Sequence, residues 1–156
     1  MKGTHNYTLT TTWTGNRGAG TTGYADYDRS HTISINNKPD LLCSSDTPFR
    51  GDNTKHNPED MLLSALSSCH MLWYLHLCAD AGIIVTAYTD NATGTMVELQ
   101  GGGGRFTEVI LHPIVTIADM TLAEKANELH KKANEKCFIA NSVNFPVKHE
   151  PRCEGV

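Results

Sequence analysis

From Met61 to Ala79 the chain carries no Asp, Glu, Lys or Arg, a run of 19 residues. Such a run either crosses a bilayer or becomes a helix hidden from water, and the two readings place different demands on its flanks. Here Ser64, Ser67, Ser68, His70, His76, Cys69 and Cys78 dilute the hydrophobicity, and both flanks are acidic (Glu59, Asp60 and Asp80). No basic anchor stands beside either end, so the reading is a helix buried on most sides within a soluble assembly, with no membrane partner. Its ends are explicit. Asn57 accepts from free first-turn N–H groups, Pro58 at the first helical position loses no needed donor, and Glu59 and Asp60 suit the positive end of the dipole. Gly82 suits the left-handed residue that stops a helix, and residues 58–81 would extend about 36 Å.

Around this helix the pattern is mostly β. The segment Tyr7–Trp13 is rich in β-branched and aromatic residues and is broken by Gly15–Gly20. Further strands are expected at Thr21–Tyr27 and His31–Ile35, and a polar loop at Asp46–Asn53. Beyond the helix, Ile83–Tyr88, Thr95–Leu99 and a long strand Arg105–Ile117 containing Pro113 follow. The run Gly101–Gly104 precedes a strand rather than a helix, which favours a flexible turn over a phosphate cradle. Thr121-Leu122-Ala123-Glu124 reads as a capping box opening a second helix with Leu122, Ala126, Leu129, Ala133 and Cys137 on one stripe. A short turn at 138–143 and a strand-like tail at 145–149 complete the chain. The order predicts an α+β fold: an antiparallel sheet packed with a long central helix and a second helix. At 156 residues this is one domain: a β part over about 1–50, the helix over 58–81, and a mixed part over 83–156.

Seventeen acidic against thirteen basic residues give a formal charge of −4, which argues against nucleic acid as a partner. Residues 1–6 lack an apolar stretch, and the five cysteines are odd in number and irregularly spaced with no Cys-x-x-Cys. Both features point to a reducing, cytoplasmic setting with free thiols. Cys43, Cys78 and Cys153 read as packing or incidental thiols. Cys69 lies mid-helix on the stripe Leu62, Leu66, Cys69, Trp73, and position alone leaves two readings open, a small core hydrophobe or a reactive thiol. Cys137 ends the apolar stripe of the second helix and could bring its sulfur against Cys69. Two unrelated core cysteines are the competing reading. The eight histidines show no metal-ligand spacing, so no metal site is expected.

The block His56-Asn57-Pro58-Glu59-Asp60-Met61-Leu62-Leu63-Ser64-Ala65-Leu66-Ser67-Ser68-Cys69-His70 resembles the first-cysteine helix of the osmotically inducible protein C/organic hydroperoxide resistance (OsmC/Ohr) family. Asn-Pro-Glu opens the helix and a cysteine stands ten residues after that Glu. Cys137-Phe138-Ile139-Ala140-Asn141-Ser142-Val143 resembles the second-cysteine segment, with Phe138 where many members have Pro. The resemblance implies an OsmC-like fold in an intertwined homodimer, and a thiol peroxidase that reduces organic hydroperoxides. Residue by residue, it places Cys69 on the peroxidatic cysteine, Cys137 on the resolving cysteine, Glu59 on the helix-start carboxylate and Arg50 on the arginine of the preceding loop. It implies no bound cofactor and an external dithiol or lipoyl-type reductant.

About 15 Å of helix axis separates Glu59 from Cys69, so one arginine can hardly serve both within one chain. Two such helices packed antiparallel across a two-fold axis would bring Glu59 or Arg50 of one subunit towards Cys69 of the other. The alternative function is a small-molecule- or thiol-binding or redox-sensing protein of the same fold without efficient turnover.

Overall fold

The computed structural model describes residues 3–156, which divide into two compact units, one ending at Met61 and one running from Leu62 to Val156. In the first unit, β1 (Thr10–Trp13), β2 (His31–Ser34) and β3 (Leu41–Cys43) form an antiparallel meander. The registers Thr12↔Thr32 and His31↔Cys43 fix its pairing. Thr21–Tyr27 is not the expected strand but a series of bends. Its polar groups are claimed locally: the Arg29 guanidinium lies 4.2 Å from the ring centres of both Tyr24 and Tyr27 and donates to both their carbonyls. Asn16 Oδ1 meanwhile accepts from the Gly18 and Gly20 N–H groups. Backbone that is satisfied by side chains in this way has no need of a ladder.

The loop after β3 is fastened down by short bonds. Asp46 caps a 3-10 turn, Thr47–Phe49, and Arg50 ends it in the left-handed region at φ 63°. The Ser44 N–H donates to the His56 carbonyl at 2.9 Å and the Asp52 N–H to Ser44 Oγ at 3.1 Å. A Cβ on Gly51 would lie 1.5 Å from the Ser45 carbonyl oxygen, inside any tolerable contact. We expect Gly51→Ala to displace this loop and cost on the order of 3 kcal/mol in denaturant unfolding, as relief requires moving backbone.

Helix α1 spans Pro58–Asp80, and its N-terminus is capped as the sequence predicts. Asn57 Oδ1 accepts from the Asp60 N–H at 2.7 Å, while Asp60 reaches back to the Asn57 N–H at 3.5 Å. Gly82 at φ 72° ends it, with the Ile83 N–H returning to the Cys78 carbonyl. The buried row differs from expectation. It is Leu66, His70, Tyr74 and Cys78, one residue out of step with Leu62, Leu66, Cys69 and Trp73. Within one chain only this row is fully buried, and Leu72 is 63% exposed, so α1 is not covered on most sides.

The second unit adds two three-stranded sheets built from β4 (Val85–Asp90), β5 (Thr93–Glu98), β6 (Gly104–Leu111), β7 (Pro113–Ile117), β8 (Val147–His149) and β9 (Arg152–Gly155). Their orders are β4-β7-β9 and β5-β6-β8. The antiparallel pairs β4–β7 and β5–β6 each gain a parallel edge strand from the C-terminal tail. The expected single strand Arg105–Ile117 is two strands in different sheets. Pro113 has no N–H for a ladder, and the His112 N–H is taken by Asp90 Oδ1 at 2.7 Å. Asp90 also accepts from Ser67 Oγ, which ties α1 to this junction.

Helix α2 spans Ala123–Lys136 and buries Ala126, Leu129, His130 and Ala133. Its expected capping box does not form. Asp119 instead accepts from the Thr121 N–H and hydroxyl and caps a 3-10 turn, Met120–Leu122, that leads into the helix. Two cores result. Tyr74 and Cys78 pack with Ile83, Val115, Ile117 and the inner face of α2, and Leu66 packs with Val109 and Leu111.

Candidate functional site

Cys69 and Cys137 lie 68 positions apart in sequence, yet their thiols share a hydrogen bond. Two packed elements bring them together. Cys69 sits on α1 beside the buried row, and Cys137 is the residue at which α2 stops, with φ −65° and ψ 113°. The stop follows from local bonds: the Asn141 amide donates to the Cys137 carbonyl at 2.9 Å and the Ala140 N–H points at Cys137 Sγ at 3.4 Å. Cys137 is buried, Cys69 is partly exposed, and both are free thiols.

The pair is electrostatically asymmetric. Burial pushes the Cys137 thiol up to about 11, and the hydrogen bond with Cys69 and the charge on Cys69 add to the rise. Cys137 therefore keeps its proton. Beside them stands an aromatic wall. Trp73, one turn on from Cys69, meets Phe138 edge-on at 5.7 Å, and Lys136 Nζ lies 5.5 Å from the Trp73 ring centre.

Arg50 and Glu59 belong to the first unit. Among the described residues no ion pair joins them. Glu59 Oε2 is buried without a hydrogen-bond partner. Arg50 lines an open polar recess of about 290 Å³ with Arg29, Lys55, Asp28 and Asp52.

A buried histidine cluster, built from α1, α2 and β8, is not what the histidine spacing led one to expect. His70 Nε2 and His130 Nδ1 are hydrogen-bonded at 3.0 Å in near-parallel rings, and His149 packs against both. Tyr74 stacks on His130 at 3.8 Å. Burial holds His70 down at about 4 and His130 at about 3, with further lowering from neighbouring imidazoles. The rings stack rather than converge, and no metal-competent cluster of His, Cys, Asp and Glu occurs among the described residues. The available signal was four-residue spacing: His70 falls between Leu66 and Tyr74 in one buried row.

Comparison with known proteins places this arrangement. An OsmC-like protein of unknown function from Vibrio cholerae is 30% identical, with 96% of this chain and 100% of that one covered at a TM-score of 0.84. An organic hydroperoxide resistance protein from Elizabethkingia anophelis shares the fold at 19% identity, full coverage of both chains and a TM-score of 0.72. A putative organic hydroperoxide resistance protein from Vibrio cholerae, solved with captopril in one of its active sites, does so at 20% identity and 0.64, covering 100% of this chain and 97% of its own. No curated protein sequence matches. The family model for OsmC-like proteins matches residues 51–152, which include both α1 and the Cys137 segment, and the chain therefore belongs to the OsmC-like family.

Proposed function

We propose that this protein is a cysteine-based thiol peroxidase that reduces organic hydroperoxides to alcohols. The observation that carries the reading is the Cys69–Cys137 contact, in which Cys137 is buried and held protonated and Cys69 is the more accessible sulfur. A thiolate is the nucleophile that peroxide chemistry requires, and a protonated neighbour supplies the second sulfur. Cys69 sulfur attacks the distal peroxide oxygen, the O–O bond breaks and an alcohol leaves, so that Cys69 becomes a sulfenic acid. Cys137 sulfur then attacks Cys69, the S–O bond breaks, and hydroxide departs as water with the Cys137 proton. An external dithiol, lipoyl-type or similar, reduces the disulfide by exchange, and no bound cofactor enters. The names of the hydroperoxide resistance relatives support the substrate class, and the Trp73–Phe138 wall suits an alkyl or aryl group.

Arg50 is proposed to hold the thiolate and peroxide, with Glu59 as its positioning residue. The unpartnered buried oxygen of Glu59 supports a role facing a cation, since such an oxygen is costly to leave unpaired. The working form is proposed to be a homodimer. Leu72, Ile84 and Phe138 are 63%, 67% and 70% exposed, apolar surface that a second copy would remove from water. Sedimentation at micromolar concentration should give a dimer; a fully active monomer would overturn that part.

The test of the function is a peptide map after one equivalent of cumene hydroperoxide. A Cys69–Cys137 linked peptide is expected, and recovery of both as free thiols would defeat the reading. One observation favours the alternative of a redox-sensing or thiol-binding protein without efficient turnover: Cys137 is held strongly protonated, which slows resolution. That alternative predicts the same disulfide but no sustained consumption of hydroperoxide when dithiol is supplied.

A further inference from the structure

The proposed peroxidase uses two of the five thiols, and two of the remainder meet in the same core. Cys78 is in the last turn of α1, 1% exposed, among Tyr74, Val115 and Ile117. Cys153 packs against that same cluster from β9, the edge strand of the β4-β7-β9 sheet. Its register places it opposite Val115, itself a core residue, and it is the only residue of β9 that is not exposed. The one inward side chain of the C-terminal strand is thus a thiol directed at the core that holds Cys78. Tyr74 links them further: its hydroxyl hydrogen-bonds the Cys78 thiol, and charge on Cys153 opposes ionisation of both Tyr74 and Cys78. Both thiols thus face one apolar core, Cys78 within it and Cys153 at its edge.

We propose that Cys78 and Cys153 form a second dithiol, which organic hydroperoxide converts into a disulfide fastening β9 to the C-terminal end of α1. Cys153 reacts first because it is the more accessible. Its sulfur attacks the distal peroxide oxygen, the O–O bond breaks, and the hydroperoxide is reduced to alcohol while Cys153 becomes a sulfenic acid. Cys78 sulfur then attacks Cys153, the S–O bond breaks, and hydroxide leaves with the Cys78 proton as water. Burial raises both thiols, so this pair oxidises more slowly than Cys69 and responds to sustained rather than brief peroxide. The bond would close a loop across most of the second unit, and long closures raise stability most.

The experiment uses a Cys69→Ser/Cys137→Ser variant of the full chain, which separates this inference from the proposed peroxidase activity. It is incubated with excess cumene hydroperoxide, mapped by mass spectrometry without reduction and melted before and after. A Cys78–Cys153 linked peptide is expected, with Tm raised by about 10 °C and both effects reversed by dithiothreitol. Adding Cys153→Ser, a change at a partly exposed site, should abolish the link and the shift. Free thiols at both positions after prolonged exposure would overturn the proposal. Cys153 recovered only as sulfinic or sulfonic acid, or joined to another chain, would do the same.

Discussion

Cys69→Ser should abolish sustained consumption of cumene hydroperoxide with dithiol, lowering kcat/KM by ~1000-fold or more, because a hydroxyl cannot supply the anionic nucleophile. Cys137→Ser should behave differently. The first alcohol should still be released in a burst of one equivalent per Cys69, after which turnover stops and Cys69 advances to sulfinic and sulfonic acid. The distinction follows from the asymmetry of the pair, in which Cys69 is partly exposed while Cys137 is buried and held protonated. If the roles were reversed, Cys137→Ser would lose the burst and Cys69→Ser would keep it. Stopped-flow measurement of alcohol release, paired with intact mass, separates these outcomes in one series. Unchanged steady-state turnover in Cys69→Ser would remove the mechanism altogether.

What the amino-acid order disclosed depended on how local the cause was. The start of α1 was legible because Asn57, Pro58 and Asp60 complete their bonds within four residues. Cys69 and Cys137 could be named through family resemblance, but only packing of α2 against α1 makes their thiols meet. The buried row of α1 was misjudged because the helix is apolar nearly all round, so hydropathy offers no preferred face. The faces that matter are chosen by the sheets and by α2. The strand-like tail at 145–149 holds β8, but its parallel pairing and the whole of β9 were not legible, since each strand is three or four residues long and is held by a partner far back in the chain. At the start of α2, Asp119 won the cap from Thr121 by reaching both its N–H and its hydroxyl.

The His70–His130 pair implies a large acid sensitivity. Both imidazoles are buried and neutral, held down at about 4 and about 3, against about 6.5 in an unfolded chain. Between those values the unfolded state binds more protons than the native state. Stability is therefore full above about pH 6.5 and is lost progressively as the pH falls towards the folded values. At pH 5.5 each imidazole contributes a loss of about 1.4 kcal/mol, so urea unfolding should show about 3 kcal/mol less stability than at pH 8. Carboxylates do not account for this window, since they remain ionised at pH 5.5. Asp52, for example, is held near 2 by its bonds to Thr54 and Lys55. A His130→Gln variant keeps a polar group beside His70 while removing one titrating site. It should lose stability at pH 8 and yet narrow the difference between pH 8 and 5.5 by about 1.4 kcal/mol, the remainder resting on His70 and the likewise lowered His149. An unchanged difference would mean that the pair is not the acid-sensitive element, and that other groups carry any sensitivity observed.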